Sequence, residues 1–268
     1  MATNELPEHV AVNREHWDEQ APEWVAMGER AWAQPEPTWG QWGVADADCP
    51  MLPADCTGID VVDLGCGTGY VSGWAARRGA RHVLAIDNSE QQLATARRLA
   101  VEHGAEDVIE FVHGNAERVP APDAAFDLAI SEYGASIWCE PRAWLSEAKR
   151  LLRPGGACVF LGNHPLTMCT SPLDGSLPVG TELVRDWHGQ RRFDWRDAVD
   201  EPGGIEFSLG TGEWVALFRE LGFEVEDYRE PIPSSDDDRE PFAVTAAWAR
   251  RWPSEHVWWL RLPATPDP

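Results

Sequence analysis

Ile59-Asp60-Val61-Val62-Asp63-Leu64-Gly65-Cys66-Gly67-Thr68-Gly69-Tyr70-Val71-Ser72 is the stretch whose reading fixes everything around it. Ile59, Val61, Val62 and Leu64 form the short, β-branched, mostly apolar run of a buried parallel strand. Gly65, Gly67 and Gly69 follow at alternate positions, and the chain resumes as a helix-like segment stopped by Gly79. A strand, a glycine loop and a helix N-terminus let backbone touch a ligand with no Cβ in the way. In doubly wound sheets this turn is where nucleotides bind.

The spacing of the glycines discriminates between cofactors. A dinucleotide fingerprint places its third glycine where Tyr70 stands here, so Gly69 comes one residue early. Asp63 adds a carboxylate just before the loop, which repels a pyrophosphate and attracts an ammonium or sulfonium. Val61-Val62-Asp63-Leu64-Gly65-Cys66-Gly67-Thr68-Gly69 resembles motif I of the class I S-adenosylmethionine-dependent methyltransferases. The resemblance is strong over about residues 59–162 and is closest to the ubiquinone- and menaquinone-biosynthesis-type small-molecule group. It implies a Rossmann-like, doubly wound α/β fold with a mostly parallel seven-stranded sheet, its last strand antiparallel. It also implies S-adenosylmethionine as cofactor, S-adenosylhomocysteine as product and methylation of a small-molecule acceptor. An NAD-dependent oxidoreductase on a related fold and a non-catalytic S-adenosylmethionine-binding module are the alternatives.

Working outward, the pattern alternates strand and helix without a break, which argues a parallel sheet covered on both faces. Strands are expected at 82–87, 108–112, 126–131 and 157–162, and helices at 90–102, capped by Ser89, and from Pro141 to Leu152. Arg153-Pro154-Gly155-Gly156 reads as the end of that helix. A helix over 212–221, a strand over 223–228, a short helix near 244–251 and a final strand over 257–262 complete the core. The N-terminal part reads as frayed to residue 12, then as two helices, one capped by Asn13 and one opened by Pro22. Residues 33–57 have no period and are expected to be ordered by tryptophan packing. The organisation that results is a helical cap at 1–57, a cofactor-binding core at 58–162, an inserted lid at 163–206 and the rest of the core at 207–268. An acidic loop, Asp236-Asp237-Asp238, lies in the last part.

Composition bounds the function. The net charge is 22 − 45 = −23, which weighs against a nucleic-acid methyltransferase and against an anionic membrane, since both need a basic face. The six cysteines show no Cys-x-x-Cys and no metal-ligand spacing, so no metal is expected, and reduced thiols suit a soluble cytoplasmic protein. The N-terminus has neither a basic region nor an apolar one, and no run reaches membrane-spanning length.

Individual site residues follow. Asp87 ends the second strand about twenty residues past the loop, where ribose recognition requires a carboxylate, and Asn88 can lie along the adenine edge. Gly114-Asn115-Ala116-Glu117 stands where the family has Gly-Asp-Ala. By the resemblance, Asn115 accepts from the adenine amino group and the next backbone N–H donates to a ring nitrogen; a turn-forming role for Asn115 is the alternative. Ser131 and its successors take the place of residues that face the methyl group. Also by the resemblance, the segment from His16 to Trp24 closes over the cofactor, with Trp24 beside the methionine moiety. Methyl transfer is an in-line displacement at an activated carbon, so the protein supplies positioning, desolvation and, for a protic nucleophile, a base. His164, Tyr133 and Glu132 are the base candidates at strand ends, with His16 and His188 behind them. Arg185, Arg191 and Arg192 either bind an acidic acceptor or form a solvated charge run.

Overall fold

The computed structural model describes residues 6–234, 237, 239 and 243–264. Asp236 and Asp238 of the acidic loop, and residues 1–5 of the N-terminal part, lie outside the described residues. The seven strands of the main sheet are β1 (Asp60–Leu64), β2 (His82–Asp87), β3 (Ile109–His113), β4 (Phe126–Glu132), β5 (Leu152–Asn163), β6 (Glu224–Arg229) and β7 (Glu255–Arg261). Their spatial order is β6-β7-β5-β4-β1-β2-β3. All neighbours are parallel except β7, which runs antiparallel to both β5 and β6. The crevice between β1 and β4, where the strand order reverses, is therefore the topological switch point.

Every residue of β1 is buried, because helices cover both faces of the sheet. On one face lie α1 (Glu8–Ala33), α2 (Tyr70–Arg77) and α3 (Glu90–Glu102), which pack Trp32, Trp74, Leu93 and Leu99 against Val61, Val83 and Val159. A short helix follows β4, α4 (Ala135–Trp138), then α5 (Pro141–Leu151); α6 (Pro165–Thr170), α7 (Thr211–Leu221) and α8 (Ala246–Ala249) come later. On the second face α5 and α7 bring Trp144, Trp214 and Phe218 onto Phe160 and Trp258. Ser89 caps α3 as the sequence predicts, accepting the Gln92 N–H at 3.1 Å.

Three segments differ from the sequence reading. The two expected N-terminal helices are one continuous helix, with Pro22 in its interior and residues 8–12 already helical. Pro22 forfeits one intrahelical bond, but tertiary contacts hold the helix on either side of it. Asn13 is not a cap. Its side chain, 3% exposed, donates to the Trp138 and Ile205 carbonyls at 3.0 and 2.9 Å and accepts the Ile205 N–H at 2.7 Å. Asn13→Ala strands those groups in the interior and is expected to lower the urea-unfolding free energy by about 2 kcal/mol; a loss below about 0.5 kcal/mol would contradict this.

The second difference is β5, which starts at Leu152 rather than at Ala157. Arg153 bonds Asp127 and Asp60 at 2.7 Å each, which holds the Arg-Pro-Gly-Gly stretch on the sheet through an irregular register against β4. Third, the pattern-poor segments carry structure of their own. A two-residue ladder pairs Thr38–Trp39 with Val44–Ala45, and Trp39 is 0% exposed. Within 163–206, α6 is followed by a ladder pairing Arg192–Asp194 with Ile205–Phe207.

Candidate active site

The glycine loop spans the switch point, and its three glycines have three different reasons to be there. Gly65, at φ +81°, lies so close to the start of α4 that a Cβ would come within 2.6 Å of the Gly134 Cα. Gly69 is the left-handed N-cap of α2, and a Cβ there would press on Phe111 and Ala96 at 3.0 and 3.1 Å. Gly67, at φ +51°, has nothing within 4 Å of its Cβ position. Packing thus demands the outer two, while the middle one faces open space at the edge of the sheet.

Asp87 ties the loop to β2. Its Oδ2 accepts the Gly67 N–H at 2.7 Å and its Oδ1 the Ser89 N–H at 2.8 Å, and burial raises its pKa. The loop is pinned further by the Gly65 and Cys66 N–H groups, which both donate to the Ile86 carbonyl. Cys66 itself is buried. Asp63 lies beneath the loop, 1% exposed, and accepts the Ser72 hydroxyl at 2.7 Å. Burial, with Asp87 and Glu132 adding to it, pushes Asp63 up to about 7.

The next two loops meet α1. Asn88 donates to the Val10 carbonyl at 2.7 Å and accepts from Arg14 Nε at 3.0 Å, so its side chain is spent on the helix. Asn115 accepts the Glu117 N–H at 2.9 Å, the turn-forming geometry. Ala116 is buried in the core. Glu117 holds His9 at 2.6 Å and the Glu140 N–H at 2.8 Å; these bonds outweigh a burial penalty and leave its pKa lowered. Asp18 accepts the Ser89 hydroxyl at 2.6 Å, and Trp32 Nε1 donates to the Thr68 carbonyl at 2.8 Å. From Trp32 to His9, then, α1 is fastened to the loops after β1, β2 and β3. On the inner side of this helix Trp24 meets Trp17 edge to face at 5.5 Å, and Trp17 meets Trp138 at 5.2 Å.

At the end of β4, Ser131 donates to the Leu64 carbonyl at 2.8 Å. Glu132 and Tyr133, both half-buried, lie at the same edge. His164 caps α6, its Nδ1 accepting the Leu166 N–H at 3.1 Å, and burial lowers its pKa to about 4. With Nδ1 accepting, Nε2 carries the proton, which leaves the ring no lone pair for a base. His16 packs on Trp17, its pKa lowered by burial against Glu19, and His188 is exposed. Each candidate arginine has protein partners: Arg185 the Met168 and Pro172 carbonyls, Arg191 Glu140, and Arg192 Glu8.

Sequence reasoning missed Glu206 and Glu255. Glu206 accepts from Trp195 Nε1 at 2.9 Å, and Glu255 accepts from the Tyr133 hydroxyl at 2.6 Å. Burial pushes them up to about 7 and about 8. Asp63, Glu206 and Glu255 bind protons more tightly folded than unfolded, so the stability they lend is lost as pH rises through 7 to 8. His164 has the opposite sign, adding stability as pH rises from about 4 to its ordinary 6.5. The unfolding free energy is therefore expected to fall between about pH 6.5 and 8.5, and a flat profile in urea titrations across that window would contradict it.

Comparison with known proteins supports one reading of this geometry. Residues 62–160 match the methyltransferase-domain family model. A malonyl-[acyl-carrier protein] O-methyltransferase of Pectobacterium atrosepticum is 36% identical over 139 residues, covering 51% of this chain and 46% of its own length. A demethylmenaquinone methyltransferase of Clavibacter sepedonicus is 40% identical over 107 residues, covering 40% of this chain and 42% of its own. The chain spans about half the length of the curated relatives it matches. Among solved structures, an S-adenosylmethionine-dependent methyltransferase of Mesorhizobium loti superposes with a TM-score of 0.63 at 26% identity, covering 83% of this chain and 100% of its own.

Proposed function

We propose, from the premise that residues 62–160 form a class I S-adenosylmethionine-dependent methyltransferase domain, that the chain transfers a methyl group to a small-molecule acceptor. The observation that carries this reading is the pairing of Gly67 with Asp87. One offers a backbone surface with open space above it, and the other a strand-end carboxylate held against that surface. The cradle suits the cofactor, because packing does not demand a glycine at 67 and a Cβ there would enter only the open space.

In this reading Asp87 accepts the ribose hydroxyls, and Gly65, Cys66, Gly67 and Gly69 let the methionine moiety approach the backbone. Asn115, Ala116 and Glu117 line the adenine end, with Asn88 contributing backbone only because its amide is bonded to α1, while Ser131, Asp63 and Trp24 border the methionine end. S-adenosylmethionine, when bound, supplies the electrophilic methyl carbon on a positive sulfur. The chain's contribution is to hold, to exclude water beneath α1 and to take a proton. Glu132 is the better placed base candidate; the Tyr133 hydroxyl donates to Glu255 and burial raises its pKa, and His164 is committed as a helix cap. No helix among the described residues is long and apolar enough to cross a membrane. The unpaired, buried thiols favour the cytoplasm.

Calorimetric titration with S-adenosylhomocysteine and, separately, with NAD tests the reading. Binding of the first alone is the expected result; a preference for NAD would overturn it. Gly67→Ala sharpens the test. It adds a methyl group in open space at a positive φ, so it is expected to cost only about 1 kcal/mol of stability yet weaken S-adenosylhomocysteine binding by about tenfold or more.

A further inference from the structure

Past the glycine loop, the same edge of the sheet carries polar groups for which the methyl donor has no use. Glu132, ending β4, accepts the Gly40 N–H at 2.7 Å and the Tyr70 hydroxyl at 2.5 Å. Glu255, opening β7, accepts the Gln41 N–H at 2.7 Å and the Tyr133 hydroxyl at 2.6 Å. Glu206 accepts from Trp195 Nε1 at 2.9 Å and from Asn163 Nδ2 at 3.3 Å. Glu132 and Glu255 take the N–H groups of the adjacent Gly40 and Gln41, and Glu206 takes an N–H of Asn163, which faces Glu255 across the β5–β7 ladder. Among the described residues no Lys, Arg or His is hydrogen-bonded or ion-paired to any of the three.

Such an arrangement is costly in a folded chain. Carboxylates withdrawn from water need a cation or a proton, and here every donor is neutral. A second observation points outward. Glu255 is 0% exposed, yet its Oε2 has no hydrogen-bond partner among the described residues. Glu132 and Tyr133, by contrast, remain half-buried.

We propose that these three carboxyl groups line a chamber that receives a protonated amine, so that the methyl acceptor is a small molecule with a basic nitrogen, held by Glu132, Glu206 and Glu255. The proposal rests on the methyl-transfer reading and deepens it. A carboxylate or phosphate acceptor would meet three acids and no cation, which disfavours it. The chemistry follows from the same groups. The bound ammonium gives one proton to a carboxylate of the chamber, leaving a neutral amine and a carboxylic acid. Its nitrogen lone pair then forms the new bond to the methyl carbon as the carbon–sulfur bond breaks. The electron pair of that bond stays on sulfur, giving S-adenosylhomocysteine and a methylammonium product. Because burial raises Glu206 and Glu255 into the neutral range, either acid can take and return that proton.

The test is a matched series, titrated calorimetrically into the protein saturated with S-adenosylhomocysteine: 2-phenylethylamine, 2-phenylethanol and 3-phenylpropionate. The amine is expected to bind at least about tenfold more tightly than the alcohol, and the carboxylate least. Glu132→Gln and Glu206→Gln keep the shape and are each expected to remove about tenfold of the amine affinity, with S-adenosylhomocysteine affinity within about twofold. Equal binding of the three probes, no binding of the amine, or a preference for the carboxylate would overturn the proposal. The series in the unaltered protein decides it even where a variant fails to fold. Should S-adenosylhomocysteine not bind while the free protein still prefers the amine, the methyl-transfer reading falls and the chamber stands. The reverse outcome sinks the chamber alone.

Discussion

Asp87→Ala is expected to abolish S-adenosylhomocysteine binding, with a loss of about a hundredfold or more. The carboxylate has two duties that fail together. It is the ribose acceptor of the proposed site, and its two oxygens already accept the Gly67 and Ser89 N–H groups. Hydrogen bonds from the two ribose hydroxyls to a charged acceptor are worth about 1.5–3 kcal/mol each, and losing both exceeds the roughly 2.7 kcal/mol of a hundredfold change. Asp87→Asn is expected to fall between, because its amide oxygen accepts one N–H while its amide nitrogen opposes the other. Calorimetry reads the affinity, and circular dichroism confirms that the variant is folded. Unchanged binding in a folded Asp87→Ala would remove this residue from the site.

Gly65→Ala is expected to cost more than about 3 kcal/mol of stability, the range in which a marginal domain fails to accumulate. The added Cβ would stand 2.6 Å from the Gly134 Cα and 2.7 Å from the Ala135 nitrogen, and both obstacles are backbone. The contact is reciprocal, since a Cβ at Gly134 would stand 2.3 Å from the Gly65 carbonyl oxygen. Neither chain can yield without moving a strand end. The positive φ adds its own penalty of about 1–2 kcal/mol. Soluble yield and urea unfolding measure the outcome. Near-native stability would mean that the loop can separate from α4.

Much of this was legible in the amino-acid order, and the limits have physical causes. The parallel strands and Asp87 are local in sequence, being an apolar run, three glycines and a carboxylate one βα unit later. Ser89 was readable because capping is a matter of three residues. Asn13 was not, because its partners Trp138 and Ile205 are more than a hundred residues away. The same distance hid Glu255, whose meaning comes from Tyr133 and from the Gln41 N–H across the sheet edge. Pro22 misled for the opposite reason. Its local preference for a helix start was overridden by contacts that pin the helix at Asp18 and at Trp32. His164 and Asn115 show that a strand-end position fixes where a side chain begins but not which bond it makes.

The long N-terminal helix lies across the loops after β1, β2 and β3, fastened at Thr68, Asn88, Ser89 and Glu117. If a nucleoside binds beneath it as proposed, its release would require those bonds to part as well as the ligand's own contacts. Substitutions that loosen those contacts are then expected to speed the release of S-adenosylhomocysteine from the proposed site, a rate that stopped-flow measurement reads.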